Sequence, residues 1–176
     1  MLKLNPELEE QVAVQAAELL CAAARTAPKG KGKDLLVTAV VAGETLNRLA
    51  DTMRRIAERD QVGFFDRDAG NIEASLALVL IGTRKDPLRL PKCGYCGFVD
   101  CDAMLQAGAC CAFNVGDLGI AVGSAVSRAA DLRLDNRILY SAGKAAVEMG
   151  LLGDGVVIAY GIPLSISGKS PFFDRK

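Results

Sequence analysis

Leu35-Leu36-Val37-Thr38-Ala39-Val40-Val41 is a short, β-branched apolar run, and two residues later the pattern changes to Leu46, Leu49, Met53 and Ile56 across 43–59. The run has the composition of a buried strand, whereas the second spacing is that of an amphipathic helix. Working outward, Leu8, Val12, Ala16, Leu19 and Ala23 recur at helical spacing over 7–25 and are expected to face the core. Asn5 is the expected N-cap and Pro6 the first helical position. Toward the C-terminus, 74–82 reads as a second buried strand, 116–130 and 137–149 as helices, and 155–162 as a third strand. Helices and strands thus alternate, which argues a layered α/β or α+β sandwich.

The chain has 176 residues, 51% of them apolar, enough to bury one sizeable core, and residues 1–176 are read as a single domain. Its 21 basic and 21 acidic residues cancel, and no block of like charge occurs. Nucleic acid and anionic membrane surfaces are therefore not expected partners. No apolar stretch reaches the roughly 20 residues needed to cross a bilayer, and acidic residues stand where a secretory signal would place its apolar core. A soluble, cytoplasmic protein is expected. With no histidine, imidazole acid–base chemistry and histidine-containing metal sites are excluded.

A reducing compartment makes clustered cysteines metal-binding or catalytic rather than disulfide-forming. Five of the six fall within the segment 91–111, at Cys93, Cys96, Cys101, Cys110 and Cys111. Two residues between Cys93 and Cys96 let the chain wrap one metal corner, and the glycine after each allows backbone N–H groups to approach the sulfurs. Cys101 opens a short helical turn closed by Gly108, which returns the chain to Cys110 and Cys111, either of which can supply a fourth thiolate. Zinc, a Cys93/Cys96 dithiol couple and an iron–sulfur cluster all remain open. Zinc sites usually present two C-x-x-C knuckles and a dithiol needs no further cysteines, so the cluster, of 4Fe-4S type, is favoured. Cys21 stands apart on the first helix and reads as an inert buried thiol.

Other features carry weaker signals. Ala27-Pro28-Lys29-Gly30-Lys31-Gly32-Lys33 is a loop able to bring ammonium and N–H groups toward an anion, or a solvated turn. Gly116, Gly119 and Gly123 lack the dinucleotide fingerprint order and suggest close helix packing. Asp131, Asp135, Asn136 and Arg137 form a polar group in which Asp135 or Asn136 is the expected cap of the next helix. Phe-Phe-Asp-Arg occurs at 64–67 and 172–175, and Asp174 with Arg175 is an expected ion pair.

Cys93-Gly94-Tyr95-Cys96-Gly97-x-x-x-Cys101 resembles the CGxCGxxxC module of iron–sulfur domains in corrinoid and electron-transport proteins of anaerobes. With Ala23–Lys29, Asp117–Ala125, Asp135-Asn136-Arg137 and the ending from Pro163 to Arg175, the chain resembles the ferredoxin domain-containing protein family. Its first helix ending in Ala23-Ala24-x-x-Ala27-Pro28, a glycine- and alanine-rich helix after an Asp, and a final strand followed by a basic residue are also similar, more distantly, to the FMN-dependent nitroreductase superfamily. That resemblance implies an α+β, nitroreductase-like helix/sheet sandwich with a cysteine-rich insertion loop, a homodimer and a flavin at the subunit interface. The implied phosphate-binding residues are Arg25 and Lys29, with Lys31 beside them in the same loop, and Lys169 in the tail. Together the readings give an electron-transfer protein with a 4Fe-4S cluster, FMN as a second cofactor and a protein electron-transfer partner. The alternative is a non-enzymatic scaffold with a structural zinc or cluster site.

Overall fold

Seven consecutive residues from Ala77 to Thr83 are buried, so this strand must be covered on both faces. The computed structural model describes residues 2–5 and 7–173; Pro6, Asp174 and Arg175, named above, lie outside the described residues. Four strands, β1 (Leu36–Val41), β2 (Ala77–Arg84), β3 (Asp135–Asn136) and β4 (Val156–Ser165), form one sheet. Their order is β1-β2-β4-β3, with every neighbour antiparallel. Val79 lies opposite Val40 on one side and Ile162 on the other.

Because side chains alternate along a strand, β2 feeds two cores. Ala77, Val79 and Ile81 pack against α1 (Glu7–Thr26) and α5 (Ala112–Asp131). Leu78 and Leu80 point the other way, into the helices α2 (Glu44–Asp60), α3 (Phe64–Glu73) and α6 (Tyr140–Glu148). A fully buried leucine contributes about 1.5–3 kcal/mol, so these faces hold the layers together. A short helix α4 (Cys101–Gln106) stands outside this sandwich, within the cysteine segment.

Several expectations need correction. On α1 the buried residues are Ala13, Ala16, Ala17, Leu20 and Ala24, while Leu8, Val12 and Leu19 are exposed. The alanine face allows α1 to lie close to the buried Ala121, Ala125 and Ala129 of α5, which the larger leucine face would not. Close packing between these helices therefore comes from alanine; among the described residues a Cβ at Gly116, Gly119 or Gly123 would meet nothing within 4 Å, so the expected glycine contacts are not found there. Asp135 and Asn136 do not cap a helix but pair with Ser165 and Leu164 of β4, and α6 begins later, at Tyr140. Arg137 anchors the tail: its guanidinium donates to the Phe172 carbonyl at 3.1 Å and lies 5.3 Å from the Phe173 ring. Phe172 is buried and Phe173 exposed.

Candidate metal centre

The chain leaves the sheet at Arg84 and runs without regular structure until Cys101. Its first part is stitched to the Gly30–Gly32 turn. Lys33 pairs with Asp86 at 2.6 Å, Lys31 Nζ donates to the Leu88 carbonyl at 3.3 Å, and a Cβ on Gly30 would stand 2.5 Å from Leu88 Cδ1. A larger residue there would require the Leu88 side chain to shift. The Gly30 N–H donates to both carboxylate oxygens of Asp117, at 3.1 and 3.0 Å, which ties the turn to α5.

Beyond Leu88 the backbone turns sharply. Arg89 and Lys92 adopt φ of 50° and 53°, and Gly94 and Gly97 φ of 61° and 82°. For the two non-glycine residues this left-handed conformation costs about 1–2 kcal/mol each. The Gly97 N–H closes on the Gly94 carbonyl at 2.9 Å, inside the Cys93-x-x-Cys96 knuckle. Asp100 caps α4 by accepting the Ala103 N–H at 2.8 Å. At the other end Gly108, with φ of 73°, reverses the chain, and the Ala109 N–H bonds back to the Met104 carbonyl. Lys85 Nζ donates to the Gly108 carbonyl at 2.7 Å. The chain then reaches Cys110 and Cys111, the latter directly preceding α5.

These turns enclose a cavity of about 260 Å³. Cys93, Cys96, Cys101 and Cys111 line it, and Leu88, Phe98, Met104 and Phe113 form apolar walls. Cys110 is not part of the lining. Cys111 is buried, the other four cysteines of the segment are half-buried, and all are free thiols. Tyr95 stacks on Phe113 at 5.7 Å with 9° between the rings, holding the knuckle against the start of α5. Among the described residues no three Cys, Asp or Glu side chains converge as a single ion requires.

The basic residues expected to bind an anion are partly engaged within the protein. Arg25 pairs with Asp34 and donates to the Leu36 carbonyl at 2.7 Å; Lys29 Nζ donates to the carbonyls of Arg25 and Ala27 at 2.6 and 2.9 Å. Arg25, Lys29 and Lys31 cluster where α1 ends. Lys169 is exposed beyond β4, and no hydrogen bond or ion pair joins it to them among the described residues. Cys21 is half-buried on α1, and burial pushes its thiol up, partly opposed by the Thr38 hydroxyl. Asn114, one turn after Cys111, is buried, and neither of its amide atoms has a hydrogen-bond partner among the described residues. Neither it nor the role of Asp117 was foreseen. Nothing in local periodicity marks a helix carboxylate whose partner N–H lies 87 residues away.

A profile of the family described as uncharacterized protein containing a ferredoxin domain matches residues 107–175. An uncharacterized protein from Archaeoglobus fulgidus is 42% identical over 168 residues, spanning 91% of this chain and 90% of its own. Among solved structures, a nitroreductase with bound FMN from Desulfitobacterium hafniense is similar with a TM-score of 0.60 at 15% identity, over 88% of this chain and 78% of that one. A BluB-like flavoprotein from Clostridium difficile gives 0.59 at 17% identity, over 92% and 84%. These likenesses establish a nitroreductase-like α+β fold. With the profile match over 107–175 and a relative 42% identical across nine-tenths of both chains, the chain belongs to the family of uncharacterized proteins containing a ferredoxin domain.

Proposed function

We propose that this chain is an electron-transfer protein holding a 4Fe-4S cluster on Cys93, Cys96, Cys101 and Cys111. One observation carries the reading: four of the six cysteines line a single cavity, and the fifth cysteine of the segment lies outside it. Four thiolates are the donor set such a cluster takes. A zinc ion would draw its sulfurs to about 2.3 Å from one point, and a cavity of this volume suits a body of several atoms better. When bound, the cluster supplies one-electron transfer. The chain's own residues position the thiolates through the glycine turns and the Tyr95–Phe113 stack, and Leu88, Phe98, Met104 and Phe113 give the half-buried sulfurs apolar neighbours on the cavity side.

FMN is the proposed second cofactor, its phosphate taken by Arg25, Lys29 and Lys31, with Lys169 from the tail. The likeness to an FMN-bound nitroreductase supports this, as does the contact of the Gly30 turn with Leu88, a residue of the cysteine cavity. Anion binding would draw the ammonium groups from the carbonyls they now bond. The proposed whole is an FMN-dependent oxidoreductase that exchanges electrons with a partner protein in the cytoplasm. Among the described residues no helix is long and apolar enough to cross a membrane.

A homodimer is the proposed assembly. Leu8, Val12 and Leu19 form an exposed stripe on α1, and α5 presents Val115 and Ile120 beside Gly116, Gly119 and Gly123. Apolar side chains next to bare backbone suit close approach by a second copy. Sedimentation is expected to give twice the 18.5 kDa chain mass; a monomer at micromolar concentration would remove this part of the proposal.

The cluster is tested by anaerobic purification followed by iron, sulfide, zinc and flavin assays on one sample. Brown protein with about four irons and four sulfides per chain, bleached by dithionite, is the expected result. Colourless protein with stoichiometric zinc would replace electron transfer with a structural clamp on 91–111.

A further inference from the structure

Arg89 and Asp102 both line the cysteine cavity. The Arg89 guanidinium donates to the Asp102 carboxylate at 2.8 Å, and Asp102 directly follows Cys101 in the first turn of α4. Both side chains are largely exposed, at 58% and 68%, and an exposed ion pair of this kind adds little to folding stability. The backbone at Arg89 is nevertheless held left-handed, as it is at Lys92, the other cation on the cavity lining. Strain of this sort persists where the surroundings require it, and clusters at functional sites. A guanidinium is charged at any working pH, so Arg89 is a permanent cation held, through Asp102, one residue from Cys101.

A centre held by four thiolates is anionic, and reduction adds one more negative charge. A fixed cation nearby favours the reduced form, and a fixed anion disfavours it. We propose that Arg89 and Asp102 are an opposed charge pair that sets the reduction potential of the centre on Cys93, Cys96, Cys101 and Cys111, with Arg89 raising it and Asp102 lowering it. Arg89 acts through the cluster's surroundings and ligates nothing; it is a positioning residue. The step concerned is a one-electron reduction in which a mediator poised by dithionite gives up one electron. No bond forms or breaks in it. The inference rests on the proposed cluster.

The test is a mediated redox titration of the anaerobically purified full chain, followed by electron paramagnetic resonance of the reduced centre. Arg89→Gln is expected to shift the midpoint to lower potential and Asp102→Asn to higher potential, while Arg89→Lys stays near the wild type. The double variant Arg89→Gln/Asp102→Asn should return close to the wild type, and added salt should shrink both single shifts because the pair is exposed. If Arg89→Gln does not retain its centre, Asp102→Asn decides the matter, its midpoint expected above that of the wild type and of Arg89→Lys. Midpoints that coincide within error, or that move in the same direction in both single variants, overturn the pair's role while leaving the cluster standing. A wild-type chain without iron and sulfide overturns the proposed function and this inference together.

Discussion

Cys111→Ala is expected to abolish iron and sulfide retention, and Cys110→Ala to leave both at about the wild-type level. The two residues are adjacent, of one type and in the same sequence context, so composition cannot separate them. The cavity does: Cys111 lines it beside Cys93, Cys96 and Cys101, and Cys110 does not. Removing one of four thiolates leaves a cluster with an open iron, so the expected loss for Cys111→Ala matches that for Cys93→Ala or Cys96→Ala. Iron and sulfide per chain after anaerobic reconstitution, with the visible spectrum, provide the comparison. Loss on Cys110→Ala with retention on Cys111→Ala would move the fourth ligand one residue upstream and require the start of α5 to rotate its neighbour into the cavity.

Gly143→Ala is expected to destabilise the fold by about 3 kcal/mol, at the upper end of what overpacking usually costs. In an exposed helix the same exchange would stabilise by about 0.5–1 kcal/mol, because alanine is the better helix former. Here the sign reverses. Gly143 lies in the middle of α6, where an added Cβ would overlap the Ala159 carbonyl and come within 2.7 Å of Tyr160 Cα. Those atoms belong to β4, which is hydrogen-bonded to β2 along its length and cannot yield. From the opposite side, a Cβ on Gly161 would meet Ala142 at 2.7 Å, so helix and strand approach through two glycines. At about 2–4 °C per kcal/mol for a chain of this size, thermal unfolding should shift down by about 6–12 °C. An unchanged or raised midpoint would mean that α6 stands farther from the sheet than described.

The alternation of strand and helix was legible because β1, β2, β4, α1, α2 and α5 each carry a run long enough to display its period. α3 was not foreseen: its ten residues include Asp66, Arg67, Asp68 and Gly70, and they present a short apolar face. β3 was invisible because two residues have no period; it exists only through its pairing with β4. On α1 the sequence favoured Leu8, Val12 and Leu19 as the inward stripe, since size dominates any reading of hydrophobicity. The interior selected instead the alanines that let two helices close together. At the candidate site, the cysteine types and the first knuckle were plain from spacing. The choice between Cys110 and Cys111, the Arg89–Asp102 pair and the Gly30–Asp117 bond depend on where distant segments meet, which a single sequence does not encode locally.

β4 is the last strand in chain order, yet it lies inside the sheet, between β2 and β3. During synthesis β2 emerges long before its partner does, with residues Ala77–Thr83 lacking cover on one edge. Such a strand is a template for pairing with another chain, and the hazard lasts for as long as the ribosome takes to deliver the 71 residues between Arg84 and Val156. The cysteine segment is translated within that interval. If the proposed cluster were inserted at that stage, its thiolates would be met on a nascent chain whose sheet is unfinished, and insertion would compete with misassembly at the β2 edge.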